Sequence, residues 1–156
     1  MRPVPAPRDI AAPPRLDPGT GLFTGYASLF GLADAQNDVV ERGAFAASLI
    51  RRGPAGIRML WQHDPAEPIG TWLSLAEDPV GLRVAGRLVT ATARGREALD
   101  LMAAGAVDGL SIGFRAVRAA PGRRGGPRRL IEIDLWEVSV VTFPALAGAR
   151  VLRVAA

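Results

Sequence analysis

The chain has no cysteine, no lysine and a single histidine in 156 residues. Without cysteine there is no disulfide framework, no thiolate zinc site and no cysteine nucleophile. Without lysine there is no Schiff-base catalysis and no phosphate-loop lysine. A lone histidine rules out a two-histidine metal site built by one chain. Any imidazole chemistry must therefore pass through His63. No apolar run approaches the length of a membrane span, and residues 1–18 lack the apolar stretch of a secretory signal.

What is present looks basic at first sight. The formal charge is +4 and the sequence pI is about 11.1. Every basic residue is arginine, whose high pKa lifts the pI steeply for a small surplus. The excess is therefore a weak sign of nucleic-acid binding and a better sign of a compositional bias toward arginine. At 49% hydrophobic and 22% charged residues, the composition is that of one globular domain.

Six of the 13 prolines precede Gly19, so residues 1–18 read as a mobile arm and 19–156 as a single domain. Residues 22–30 read as a strand and 31–38 as a loop rich in turn formers. Residues 43–52 read as a helix, with Phe45/Leu49 and Ala46/Ile50 on an apolar face and Gly53-Pro54 as its stop. Strands are expected over 57–62, 68–76 and 81–89, the last two forming a hairpin. A second helix is expected over 93–104, with Thr92 as N-cap and Gly105 as stop. Strands over 109–119 and 129–142 flank an arginine-rich loop, and the latter carries a break near Trp136. Six strands and two helices, mostly antiparallel, predict an α+β protein built on a small curled sheet or β-barrel.

Gly109-Leu110-Ser111-Ile112-Gly113 fits the G-x-S-x-G pattern of a nucleophile elbow. That elbow needs a strand, a sharp turn and a helix. Here Ser111 lies inside an alternating strand, with Leu110, Ile112 and Phe114 on one face and Ser111 and Arg115 on the other. Read alone, Ser111 is a polar outward residue. His63 ends an apolar strand, where a neutral imidazole can act as general base. Read alone, it is a surface histidine beside Asp64. Together, one serine and one histidine are the minimum of a serine hydrolase. Glu132, Asp134 and Glu137 compete as the carboxylate that orients the imidazole. Strict alternation places Ile131, Ile133, Leu135 and Glu137 on one face and Asp134 on the other, with Ser111, so alternation favours Asp134. The stretch 123–129 holds four arginines without an aromatic between them, which suits a solvated hairpin loop better than base stacking.

Several blocks, in order, resemble a known family. They are Gly25-Tyr26-Ala27-Ser28 with Phe30; Asp38 and Val40 before Gly43-Ala44-Phe45; Leu60-Trp61-Gln62-His63-Asp64; Pro68-Ile69-Gly70; Gly81-Leu82; residues 105–114 around Ser111; and residues 135–145 around Glu137. Over about 25–149 the chain resembles the prohead, or capsid maturation, serine proteases of tailed phages, which have relatives in gene transfer agents. The resemblance implies a herpesvirus-assemblin-like fold and a serine endopeptidase acting in the host cytoplasm, inside the assembling prohead. Its substrate would be a scaffold protein, a scaffolding segment of the major capsid protein or the protease itself; the alternatives are an inactive capsid-assembly domain of the same fold and a small arginine-rich nucleic-acid-binding β domain. A homodimer is implied; no cofactor, metal or membrane is. By matching motif, His63 is the general base, Ser111 the nucleophile and Glu137 the orienting acid, with Asp134 the alternative. A bulge near Trp136 would reconcile Glu137 with the alternation.

Overall fold

The structure, a computed structural model, describes residues 19–153; the expected N-terminal arm lies outside them. Eight strands and two α-helices occur among the described residues. They are β1 (Leu22–Leu29), β2 (Asp38–Val40), α1 (Ala46–Arg52), β3 (Arg58–Trp61), β4 (Asp64–Glu77), β5 (Gly81–Leu88), α2 (Ala93–Ala103), β6 (Gly109–Ala120), β7 (Arg128–Val141) and β8 (Val151–Arg153).

Period-two patterning builds the first wall. On β5, Leu82, Val84 and Leu88 face inward and are nearly fully buried, while Arg83 and Arg87 face water. Phe23 and Ala27 of β1 point the same way, and the ring of Phe23 meets Trp72 of β4 edge-on at 5.6 Å. The β4–β5 turn is closed by Asp78, whose carboxylate accepts the backbone N–H groups of Val80 (2.7 Å) and Gly81 (3.0 Å). The hydroxyl of Tyr26 donates to the same carboxylate.

The strands form one sheet in the order β2-β7-β3-β4-β5-β1-β8, with β6 on the other edge of β7. Most neighbours are antiparallel; β3 and β2 run parallel to β7. The sheet curls until residues 149–151 bridge its two ends. Tyr26 N–H donates to Arg150, Leu110 N–H to Ala149, and Val151 N–H to Asp108. The α+β, mostly antiparallel curled-barrel expectation therefore holds. Phe23, Ile69, Leu82, Leu110, Leu130, Ile133, Leu135 and Val138 are among the side chains that fill the interior.

One edge of β7 is occupied along nearly its whole length by residues 38–62. First β2 pairs with Arg128–Leu130. Next, Ile133 N–H donates to the Ala44 carbonyl and Leu135 N–H to the buried Ser48 hydroxyl. Then β3 pairs with residues 137–140. This arrangement corrects the expected helix. α1 starts at Ala46 rather than Gly43, and its buried side is Ser48 with the preceding Ala44 and Phe45, while Ile50 is exposed. The α2 expectation fits better: Thr92 Oγ1 accepts the Gly95 N–H, and Ala98, Leu99 and Met102 are buried at helical spacing.

Two strands were not expected. β2 and β8 are three residues each, too short to show a period, and exist only by pairing with β7 and β1. β4 begins at Asp64, not Pro68. Trp61 pairs with Asp64 and Leu60 with Pro68, so residues 65–67 form an unpaired excursion that accommodates Pro65.

Candidate active site

His63 lies at the tip of the β3–β4 hairpin. Trp61 and Asp64 are partners, so the loop is only Gln62 and His63. Both have positive φ, 53° and 60°. This is the backbone a type I′ hairpin turn demands, usually supplied by Asn and Gly. Holding two side-chain-bearing residues there costs about 1–2 kcal/mol each. Gln62 is correspondingly clamped: its Nε2 donates to Thr142 Oγ1 (2.7 Å), its Oε1 accepts Thr142 N–H (3.1 Å), and its own N–H donates to the Val140 carbonyl. Arg94 of α2 sits 5.8 Å from the centre of the Trp61 ring and pairs with Glu67, bracing the base of the hairpin.

Ser111 lies opposite Ser139 in the β6–β7 ladder, and Gly113 opposite Glu137. Leu110 enters the core, so Ser111 turns the other way, but it is not an outward surface residue. It is 6% exposed and lies in a cleft of about 560 Å³. His63, Ile112, Phe114, Leu29, Leu32 and Leu146 share its lining. Among the described residues, nothing hydrogen-bonds the Ser111 hydroxyl.

The structure brings Glu137 to His63. Its Oε1 meets His63 Nδ1, and its Oε2 accepts the Ser139 hydroxyl at 2.6 Å. Ser139 Oγ in turn accepts the backbone N–H of His63 at 3.0 Å. Glu137 is 8% exposed, and its hydrogen bonds satisfy the charge that burial would otherwise penalise. The carboxylate hydrogen bond raises the His63 pKa against the opposing effect of burial. An acceptor at Nδ1 places the neutral imidazole's proton there, leaving Nε2 as the basic nitrogen.

Asp134 goes elsewhere. It accepts from Arg51 (2.6 Å), from Arg52 in a two-pronged pair (2.9 and 3.0 Å) and from Trp136 Nε1 (3.0 Å). The Arg52 bond holds its carboxyl far below the usual range. The alternation that favoured Asp134 fails because the ladder steps from Glu137 to Leu135 between consecutive β6 residues, leaving Trp136 as an unpaired bulge. A second irregularity near Glu132 puts Leu130 rather than Ile131 in the core. Glu132, the third carboxylate weighed, lies opposite Arg118 on the distal half of the ladder. In the arginine-rich stretch, Arg128 pairs with Asp38 (2.7 Å) and Arg129 with Glu41, leaving Arg123 and Arg124 exposed.

Sequence reasoning missed Ser139 and Gly113. A Glu-x-Ser spacing on a strand puts both side chains on one face, so Ser139 could have been read from Glu137. The need for glycine at 113 depends on a cross-strand partner that local sequence does not reveal.

A family model described as caudovirus prohead serine protease matches residues 13–156. The chain is 36% identical over 127 residues to the prohead protease of Enterobacteria phage HK97, covering 80% of this chain and 56% of that protein. It is 33% identical over 147 residues to the capsid polyprotein of Pseudomonas phage PAJU2, covering 89% of this chain and 21% of the polyprotein. It thus spans 56% of the first relative's length and 21% of the second's. Its fold is similar to that of the bacteriophage T4 capsid assembly protease (TM-score 0.62, 11% identity, 77% of this chain and 80% of that one). It is also similar to KSHV protease in complex with a hexapeptide phosphonate inhibitor (TM-score 0.56, 14% identity, 83% and 63%). The fold, the ordered motifs and the family match agree, and the chain belongs to the caudovirus prohead serine protease family.

Proposed function

We propose that the protein is a serine endopeptidase of prohead maturation in a phage or gene transfer agent. In this reading Ser111 is the nucleophile, His63 the general base and Glu137 the acid that orients it. The observation that carries it is the Glu137–His63 pair held at the rim of the cleft that Ser111 lines. With its Nδ1 proton held by Glu137, the imidazole takes the Ser111 proton through Nε2 as Oγ attacks a peptide carbonyl. His63 then protonates the departing amine, and water hydrolyses the acyl-serine by the same route. The substrate is a scaffold protein or the scaffolding segment of a major capsid protein, cleaved inside the assembling shell in the host. Family membership and the likeness to a capsid polyprotein support this substrate class. Among the described residues, no helix is long and apolar enough to cross a membrane.

The test is co-expression with the capsid and scaffold proteins of the same particle, together with labelling by a fluorophosphonate probe. Wild-type protein should cleave one of them and be labelled at Ser111. Ser111→Ala and His63→Ala should each lower cleavage by at least about 10³-fold while remaining folded. Full cleavage by either variant would overturn the assignment.

A further inference from the structure

The Ser139 hydroxyl sits beside Glu137 and His63, and the proposed mechanism leaves it without a role. It is fully buried. It lies directly across the ladder from Ser111 and two residues along the same strand face from Glu137. A serine hydroxyl has one proton to give and lone pairs to receive. Here the backbone N–H of His63 supplies a proton from one side, at 3.0 Å. The Glu137 carboxylate can only accept, and takes the serine's own proton at 2.6 Å. The relay therefore runs one way, from His63 N–H through Ser139 O–H to Glu137.

We propose that Ser139 is a positioning residue that sets the orienting acid and the general base at once. This rests on the serine-protease reading above. By occupying Oε2 it turns Oε1 toward His63 Nδ1. By accepting the His63 N–H it pins the positive-φ turn that carries the imidazole. The carboxylate is also confined from the other side. A Cβ added at Gly113 would stand 2.7 Å from Glu137 Cγ and 2.8 Å from Cδ, so the acid fills space that only glycine leaves open. Ser139 is not a second nucleophile: it is sealed from the cleft, and its proton is committed to Glu137.

The experiment follows the rate of fluorophosphonate labelling of Ser111 against pH in the full chain. It is paired with NMR titration of the lone histidine. Ser139→Ala should slow labelling about 10- to 100-fold, the scale of a lost hydrogen bond to a charged group. It should also move the acidic midpoint of labelling and the His63 titration together toward lower pH, because the carboxylate no longer sits squarely on Nδ1. Ser139→Cys replaces the hydroxyl by a somewhat larger, poor donor and should shift both readouts the same way; it serves if the alanine variant does not fold. Labelling and titration both unchanged in a folded variant would overturn the proposal. So would slower labelling with an unmoved His63 titration, which marks a packing role only. Failure of wild-type protein to label at Ser111 would instead count against the protease reading itself.

Discussion

Because the chain has one histidine, the ring protons of His63 can be followed without assignment ambiguity. The Glu137 hydrogen bond raises its pKa above the ordinary value of about 6.5. A raised folded pKa means the pair's contribution to stability is complete below the unfolded pKa and is lost as pH rises through the folded one. In the proposed mechanism the same pair would set the acidic limb of activity, since a general base must be neutral to act. Gly113→Ala pushes into the Glu137 carboxylate, and Glu137→Gln removes its charge. In both variants the NMR titration of His63 should move down toward 6.5, taking the acidic limb with it; a titration that stays in place would show that Glu137 does not govern the imidazole. At this scale the pairing of Glu137 with His63 is what the structure adds to the candidates. His63 and Ser111 stood out because so few residue types were available. Glu137 came from the family resemblance, and Ser139 and Gly113 needed the ladder register.

Among the elements, β7 does the most. It carries Glu137 and Ser139, holds β6 on one edge, and takes β2, the 44–48 segment and β3 in turn on the other. Asp134 belongs to this structural role: with Arg51 and Arg52 it ties α1 to β7. Its pKa is depressed, so its contribution is present above the unfolded carboxyl value and is lost as pH falls through the folded one. Asp134→Asn should lower the melting temperature at pH 7 and flatten the acid-side fall in stability. Labelling of Ser111 at 25 °C should stay within about twofold of wild type, as expected of an energetically independent site. A large loss of labelling in the folded variant would place Asp134 back in contention. Long, periodic elements such as β1, β5, β6 and α2 were readable from sequence. β2, β8 and the true start of β4 were not, because each is defined by a distant partner rather than by its own pattern.

The whole molecule depends on a narrow seam. Residues 149–151 reach both β1 and β6, and they pass close over Gly25. A Cβ there would lie 2.8 Å from Leu110 Cδ1 and 3.0 Å from Val151 Cα. Gly25→Ala should therefore open the seam at a cost of about 1–3 kcal/mol, the range for overpacking. Thermal melting would report the loss, and amide exchange at Leu110, whose N–H donates to Ala149, would speed up. Unchanged melting and exchange would mean that the ends of the sheet are held by something other than this contact.

The three residues of the proposed triad stand on three neighbouring strands or their turn: His63 between β3 and β4, Glu137 on β7 and Ser111 on β6. Their separation is thus set by the spacing of adjacent strands, about 4.8 Å, and not by the conformation of a long loop. We expect such a centre to share the stability of the sheet that carries it. On heating, its chemistry should survive intact until the sheet comes apart, and then vanish in the same step.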